Sequence, residues 1–155
     1  MVEPADLRKY SLFGGLLEEQ IEKILPLMKH GSYNMGENII HEGEPNDQIR
    51  FIISGRVAVV KNGIILMEFK EGDTVGEMEV LDMMPSVATV QALSPVEVTS
   101  LSNKDLHEVY KSDIAAFSLI VMNLARDLSR RLRHLDEAAT GSNGQALQHS
   151  EYFIS

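Results

Sequence analysis

Between residues 30 and 101, short runs rich in Ile, Val and Phe alternate with turn formers at Asn34/Gly36, Glu44-Pro45-Asn46-Asp47, Ser54-Gly55, Asn62-Gly63 and Glu71-Gly72-Asp73. Many short strands at about ten-residue spacing predict an antiparallel sandwich or barrel. The sharpest local signal is Asn62-Gly63, between Val57-Ala58-Val59-Val60 and Ile64-Ile65-Leu66-Met67. Both turn residues tolerate positive φ, so the two runs should pair through a two-residue type I′ hairpin. Two more strands are expected at Val87–Leu93 and Val96–Leu101, interrupted by Ser94-Pro95.

Helical spacing flanks this region. Leu17, Ile21, Ile24, Leu25 and Met28 recur at three and four residues and predict an amphipathic helix limited by Pro26. After the strands, Ser102 with Asp105 forms a capping box for a short helix, and Ser112 is the expected cap of a longer one over about 113–137. Along it, Ile114, Phe117, Val121, Leu124, Leu128, Leu132 and Leu135 follow steps averaging 3.5 residues. Such a stripe packs on its own barrel or forms a seam with a second copy; its length favours the seam, and a homodimer is expected. The reading is one domain over residues 1–137, with N-terminal helices, a barrel at about 30–101, C-terminal helices at about 103–137, and a flexible tail over 138–155.

Composition narrows the function. The 155 residues carry a formal charge of −9, which repels a nucleic-acid backbone or an anionic membrane over most of the surface. The exception is 126–136, where four arginines and two aspartates leave +2 against −11 for the rest. No direct nucleic-acid contact is expected. The absence of cysteine excludes thiolate catalysis, zinc–cysteine sites and disulfide redox sensing. The start of the chain lacks a basic, apolar secretory signal, and the longest apolar stretch, 114–125, is too short for a bilayer, so no membrane association and a cytoplasmic location are expected. His30, His41, His107, His134 and His149 are scattered, and adjacent His41 and Glu42 would point to opposite faces of a strand. That pattern argues against a metal-dependent β-barrel enzyme, and no nucleophile elbow, phosphate loop or Ser/His/Asp arrangement is present. Neither a metal nor a cofactor is expected, and the chain reads as a non-enzyme.

Several stretches, taken in order, resemble the cyclic-nucleotide-binding domain family, the sensor domain of catabolite activator proteins and of cyclic-nucleotide-regulated kinases and channels. They are Leu12-Phe13, Tyr33–Ile40, Glu42-Gly43-Glu44, Phe51–Val57, the Asn62-Gly63 hairpin and Lys70–Glu77, within a resemblance over about 10–137. The resemblance implies a mainly β fold, an eight-stranded antiparallel jelly-roll barrel (double-stranded β-helix) with flanking helices and a long C-terminal helix. Gly36, Gly43, Gly55, Gly72 and Gly76 would stand at its corners. It also implies a phosphate-binding cassette over 76–90, with Gly76, Glu77, Met78, Glu79, Leu81, Ser86, Val87 and Ala88 as ligand-binding positions. There the amides of about Met78 to Leu81 would face a phosphate and Glu77 would accept a ribose hydroxyl; Glu77 equally suits a helix start with no ligand.

The family's arginine after the cassette helix is Ser86 in this chain. Losing a charge-assisted bidentate pair costs roughly 1.5–3 kcal/mol. Glu79 stands where the family has a small residue. At about 5 Å from a phosphate it would add roughly 3 kcal/mol of repulsion. It is expected to face solvent; facing the pocket, it would sooner hold a cation or basic side chain. Arg126 and Arg130 are the candidates to restore the missing charge from the last helix. Met78, Met83 and Met84 are expected as flexible core filler. Two functions follow: a regulatory sensor for which cyclic AMP or cyclic GMP is at most a weak ligand, or a vestigial pocket on a dimerisation or docking module. Either passes its output to a separate protein partner.

Overall fold

The computed structural model describes residues 2–141. After a short helix α1 (Pro4–Leu7) and a 3-10 turn at Ser11–Phe13 comes α2 (Glu18–Ile24), ended by a 3-10 turn Leu25–Leu27 that contains Pro26. The strands are β1 (Lys29–Tyr33), β2 (Asn38–Ile40), β3 (Gln48–Ser54), β4 (Arg56–Lys61), β5 (Ile64–Lys70) and β6 (Thr74–Val75). Helix α3 (Glu77–Asp82) interrupts them before β7 (Thr89–Ala92) and β8 (Val96–Ser102). Two helices finish the described chain, α4 (Asn103–Ser112) and α5 (Ile114–Gly141).

All strand pairs are antiparallel, in two four-stranded sheets ordered β1-β8-β3-β6 and β2-β7-β4-β5. The expected jelly roll is therefore two facing sheets and not a closed barrel. The hairpin forms as read: Lys61 pairs with Ile64, and Asn62 and Gly63 have φ of 53° and 73°. At Gly55 (φ +92°) a Cβ would lie 2.2 Å from the Pro95 carbonyl oxygen, so only glycine fits where β3 turns into β4.

Two apolar clusters hold the layers. Ile39, Ile40, Ile52, Val57, Val75, Val90, Ala92, Val96 and Val98 fill the space between the sheets. On the outer face of the first sheet, Ile49, Phe51 and Leu101 meet the helices through Leu7, Phe13, Ile21, Leu106, Ile120 and Leu124. Phe51 is fully buried, with the Tyr10 and Phe13 rings at 5.3 and 5.1 Å. The Tyr10 hydroxyl donates to the Ile52 carbonyl at 2.7 Å, and burial, reinforced by Glu71 and Asp6, pushes it up to about 12.

Ser102 caps α4 as read, accepting from the Asp105 amide while Asp105 accepts from the Ser102 amide. At α5 the reading is corrected. Ser112 donates back to the Glu108 carbonyl and belongs to the end of α4, while Asp113 receives the Ala116 amide at 3.0 Å and the Gln20 side chain at 3.1 Å. Those bonds, the backbone one first, hold the Asp113 carboxyl below its ordinary value. Helix α5 also continues to Gly141, four residues into the expected tail; 142–155 lie outside the described residues.

The apolar stripe of α5 is divided. Leu124 is buried in the chain's own core, and Phe117 is half-buried with its ring against Tyr110, so neither is free for a seam. Leu128 is half-buried; Ile114, Val121, Leu132 and Leu135 are exposed. Asn123, buried on the same helix, donates to the carbonyls of Leu12 and Gly14 at 3.0 and 2.8 Å and ties α5 to the first turn of the domain.

Candidate functional site

The cassette leaves β6 through Gly76, which sits at φ +85° with Gln48 and Asn46 so close that a Cβ would stand 2.6 Å from the Gln48 carbonyl. Asn46 holds this corner by donating to the carbonyls of Gly76 and Gln48, and Arg50 fixes Asn46 with a 2.7 Å bond to its oxygen. Helix α3 follows at once and ends on Met83 in the left-handed region (φ 57°). The descending loop is clamped by the turn at 41–44: the Gly43 amide donates to the Ser86 carbonyl at 2.7 Å and the Ser86 amide to the Glu44 carbonyl at 3.0 Å.

Ser86 is buried and its hydroxyl donates to the Ala88 carbonyl at 2.7 Å. The Ser86 hydroxyl thus gives its one donor to the loop itself. Ala88 is buried and Val87 exposed. Met78, Met83 and Met84 are exposed, which corrects their reading as core filler, and Leu81 is exposed beside them; Met83 is 78% exposed, on the outside of the cassette where it adds nothing to the core. Glu79 is half-buried at a cavity of about 220 Å³ that it shares with Asp47, Asn46, Met83 and Met84. A wider groove of about 340 Å³ runs between α3, α4 and α5, lined by Leu81, Leu106, Tyr110, Phe117 and Val121.

Glu77 is 3% exposed, and its partner is an arginine of α5. That arginine is Arg131, which donates through Nη1 to a Glu77 carboxylate oxygen and through Nη2 to the Thr74 carbonyl at 2.7 Å. Its guanidinium lies 4.8 Å from the centre of the Phe69 ring. Carboxylate, carbonyl and aromatic face thus surround one cation, three contacts that each favour a guanidinium. Burial pulls Arg131 below its ordinary value, opposed by the nearby negative charge of Asp73.

Arg126 and Arg130, the two candidate substitutes, lie elsewhere. Arg126 donates to Asn123 at 3.3 Å, and Arg130 to Asp127 at 3.2 Å with its side chain 65% exposed. Helical phase explains the difference. Arg131 follows the buried Leu124 by seven residues, two turns on nearly the same face, whereas Arg130 is rotated about 100° away from it. The burial of Leu124 selects Arg131, and the sequence pattern did not distinguish which face of the stripe turns inward.

The sequence profile of the cyclic nucleotide-binding domain matches residues 30–113. The chain is 32% identical over 96 residues to a cAMP-dependent protein kinase regulatory subunit of Debaryomyces hansenii, covering 61% of this chain and 21% of that one. It is 28% identical over 130 residues to the cyclic AMP receptor protein of Thermus thermophilus, covering 81% of this chain and 58% of that protein. It therefore spans only part of these relatives. Its fold superposes on a crystal structure of a cyclic nucleotide-binding domain from Methylobacillus flagellatus with a TM-score of 0.80 at 24% identity, over 90% of this chain and 82% of that one. No described helix is long and apolar enough to cross a membrane. The chain belongs to the cyclic nucleotide-binding domain family.

Proposed function

We propose that the chain is a non-enzymatic regulatory module whose cassette has given up tight cyclic-nucleotide binding, and that it passes its output to a separate protein. The observation that carries this is Ser86: a buried neutral hydroxyl, bonded to Ala88, stands where the phosphate's arginine would be. A phosphate there gains no ion pair from the cassette, a loss of roughly 1.5–3 kcal/mol. Arg131, bound to Glu77, adds to this reading, since the carboxylate that would receive a ribose hydroxyl already has a charged partner. A ribose hydroxyl must then share that carboxylate with Arg131.

Calorimetric titration of cyclic AMP and cyclic GMP into the natural protein and into Ser86→Arg tests the proposal. The expected result is no saturable heat at micromolar ligand for the natural chain and measurable binding for the variant. Micromolar binding by the natural chain refutes it.

A second reading, the docking or dimerisation module, is favoured by one observation. Ile114, Val121, Leu132 and Leu135 expose a run of branched side chains along α5 at 56, 38, 61 and 53%. A second copy of α5 fits that spacing. The oligomeric state of the natural chain and of Leu132→Asp/Leu135→Asp, by sedimentation, separates it from a monomeric sensor.

A further inference from the structure

Two hollows beside α3 run into one another. The groove of about 340 Å³ between α3, α4 and α5 and the cavity of about 220 Å³ between α3 and residues 45–47 share Val80 and Asn103 in their walls. Their linings differ in kind. The groove is mainly apolar: Leu81, Leu106 and Val121 line it beside a row of rings in which His107, Tyr110 and Phe117 stand 5.8 and 5.3 Å apart. The cavity is acidic, lined by Glu79 and Asp47, and neither carboxylate has a hydrogen bond or ion pair among the described residues. Met83 and Met84 line the same cavity and are exposed, as is Leu81 at the groove.

Each feature limits the occupant. The groove is walled by helices whose backbone groups bond within themselves, so an extended segment finds no ladder to join, whereas a helix arrives with its own backbone satisfied. Apolar side chains at three- and four-residue spacing suit such a groove, and exposed methionines adapt to their shape. The unpaired carboxylates next door call for a cation, as does the chain's formal charge of −9. The chain does not supply that cation well. Residues 142–155 contain no Lys or Arg, and in α5 Arg126, Arg130 and Arg131 are already bonded to Asn123, Asp127 and Glu77. A second copy also brings another −9.

We infer that the joined groove and cavity are the docking site for an amphipathic helix of a separate, basic protein, its apolar face in the groove and a Lys or Arg at Glu79 and Asp47. The inference rests on the reading that the chain passes its output to a separate protein, and it names the chemistry of that partner. Leu81 of the cassette helix and Phe117 and Val121 of α5 line one groove, so the docked helix touches both and reads their relative position.

A labelled model helix with leucine on one face and lysine on the other, and the same helix with glutamate for lysine, test this by fluorescence anisotropy on the full chain. The expected result is saturable micromolar binding of the lysine helix, with the glutamate helix weaker by about tenfold or more and amide shifts centred on Leu81, Tyr110 and Val121. Val121→Asp, and Tyr110→Ala in case the aspartate variant does not fold, should weaken binding about tenfold or more. Glu79→Lys/Asp47→Lys should reverse the preference toward the glutamate helix, a gain that an unfolded chain does not show. Glu68→Lys/Glu97→Lys, an equal charge change on β5 and β8, should leave the preference as it was. No saturable binding, equal binding of the two helices, reversal by the control pair as well, or binding that survives Val121→Asp overturns the inference. So does binding that appears only after Leu132→Asp/Leu135→Asp, which makes a second copy the occupant, or only after Tyr152→Ser/Phe153→Ser, which makes 142–155 the occupant. Micromolar cyclic-nucleotide binding by the natural chain would remove the proposed loss of nucleotide affinity and alter none of these outcomes, so the two failures are distinguishable.

Discussion

Removing Arg131 should cost the domain more than its place on a mostly exposed helix end suggests. The side chain is 26% exposed, but Glu77 opposite is 3% exposed and has no other charged contact among the described residues. Breaking a buried pair by deleting one member costs about 3–5 kcal/mol. Partial solvent access at Arg131 places this case near the lower bound, about 3 kcal/mol for Arg131→Ala. Glu77→Gln leaves an amide that still accepts a bond and an arginine that relaxes toward water, about 1.5 kcal/mol. Once the carboxylate is gone the arginine has much less to lose, so the double variant should cost about 3 kcal/mol, a coupling of about 1.5 kcal/mol. Urea unfolding of the four proteins measures the cycle. Thermal midpoints should follow, with Arg131→Ala lower by about 6–12 °C for a chain of this size. Additive losses, or a cost below about 0.5 kcal/mol for Arg131→Ala, the level of an exposed ion pair, would refute a buried latch.

Other expectations follow from the packing. Asn123→Ala removes both donors to the Leu12 and Gly14 carbonyls and should cost about 2–4 kcal/mol in urea unfolding. Leu124→Ala should cost about 2–5 kcal/mol, because it empties the core beneath α5, whereas exposed Leu132→Ala should leave monomer stability within about 0.5 kcal/mol. Gly55→Ala sets a Cβ against the Pro95 carbonyl at φ +92° and should lower stability by at least about 2 kcal/mol, or yield no soluble protein. Tyr10, with its folded-state value raised to about 12, stays protonated when the unfolded chain ionises near its ordinary 10. Stability is therefore retained below about pH 10 and falls by roughly 2–3 kcal/mol between about pH 10 and 12, a slope that Tyr10→Phe should remove.

The parts of this molecule that were legible in the sequence are those fixed by local chemistry. The Asn62-Gly63 turn, the Pro26 stop and the Ser102/Asp105 box each need only their own few residues, and each forms as read. The corner glycines were visible for the same reason, since left-handed backbone leaves few alternatives. Less legible was anything set by helical phase against a surface not yet built. The stripe from Ile114 to Leu135 identified a helix with an apolar side but not that Leu124 faces the chain's own core and Leu132 the solvent. The same ambiguity directed attention to Arg126 and Arg130, when the inward face carries Arg131. Phe69 carried no motif signal and the stretch holding Thr74 gave none for its carbonyl, because an aromatic ring and a backbone carbonyl surround a cation only when β5, β6 and α5 converge. The methionines were misplaced through an average preference for interiors; α3 stands on the surface and carries them outward.

The buried carboxylate of the cassette, Glu77, has its charge met from within the chain by Arg131. Amide spectra of the natural protein, followed through Gly76 to Ala88 and along α5 during addition of cyclic AMP, test this most directly. The predicted result is no saturable shift at micromolar nucleotide, with saturable shifts appearing once Ser86→Arg is introduced. Saturable shifts of the cassette amides in the natural chain, with loss of the Arg131–Glu77 contact, would contradict it.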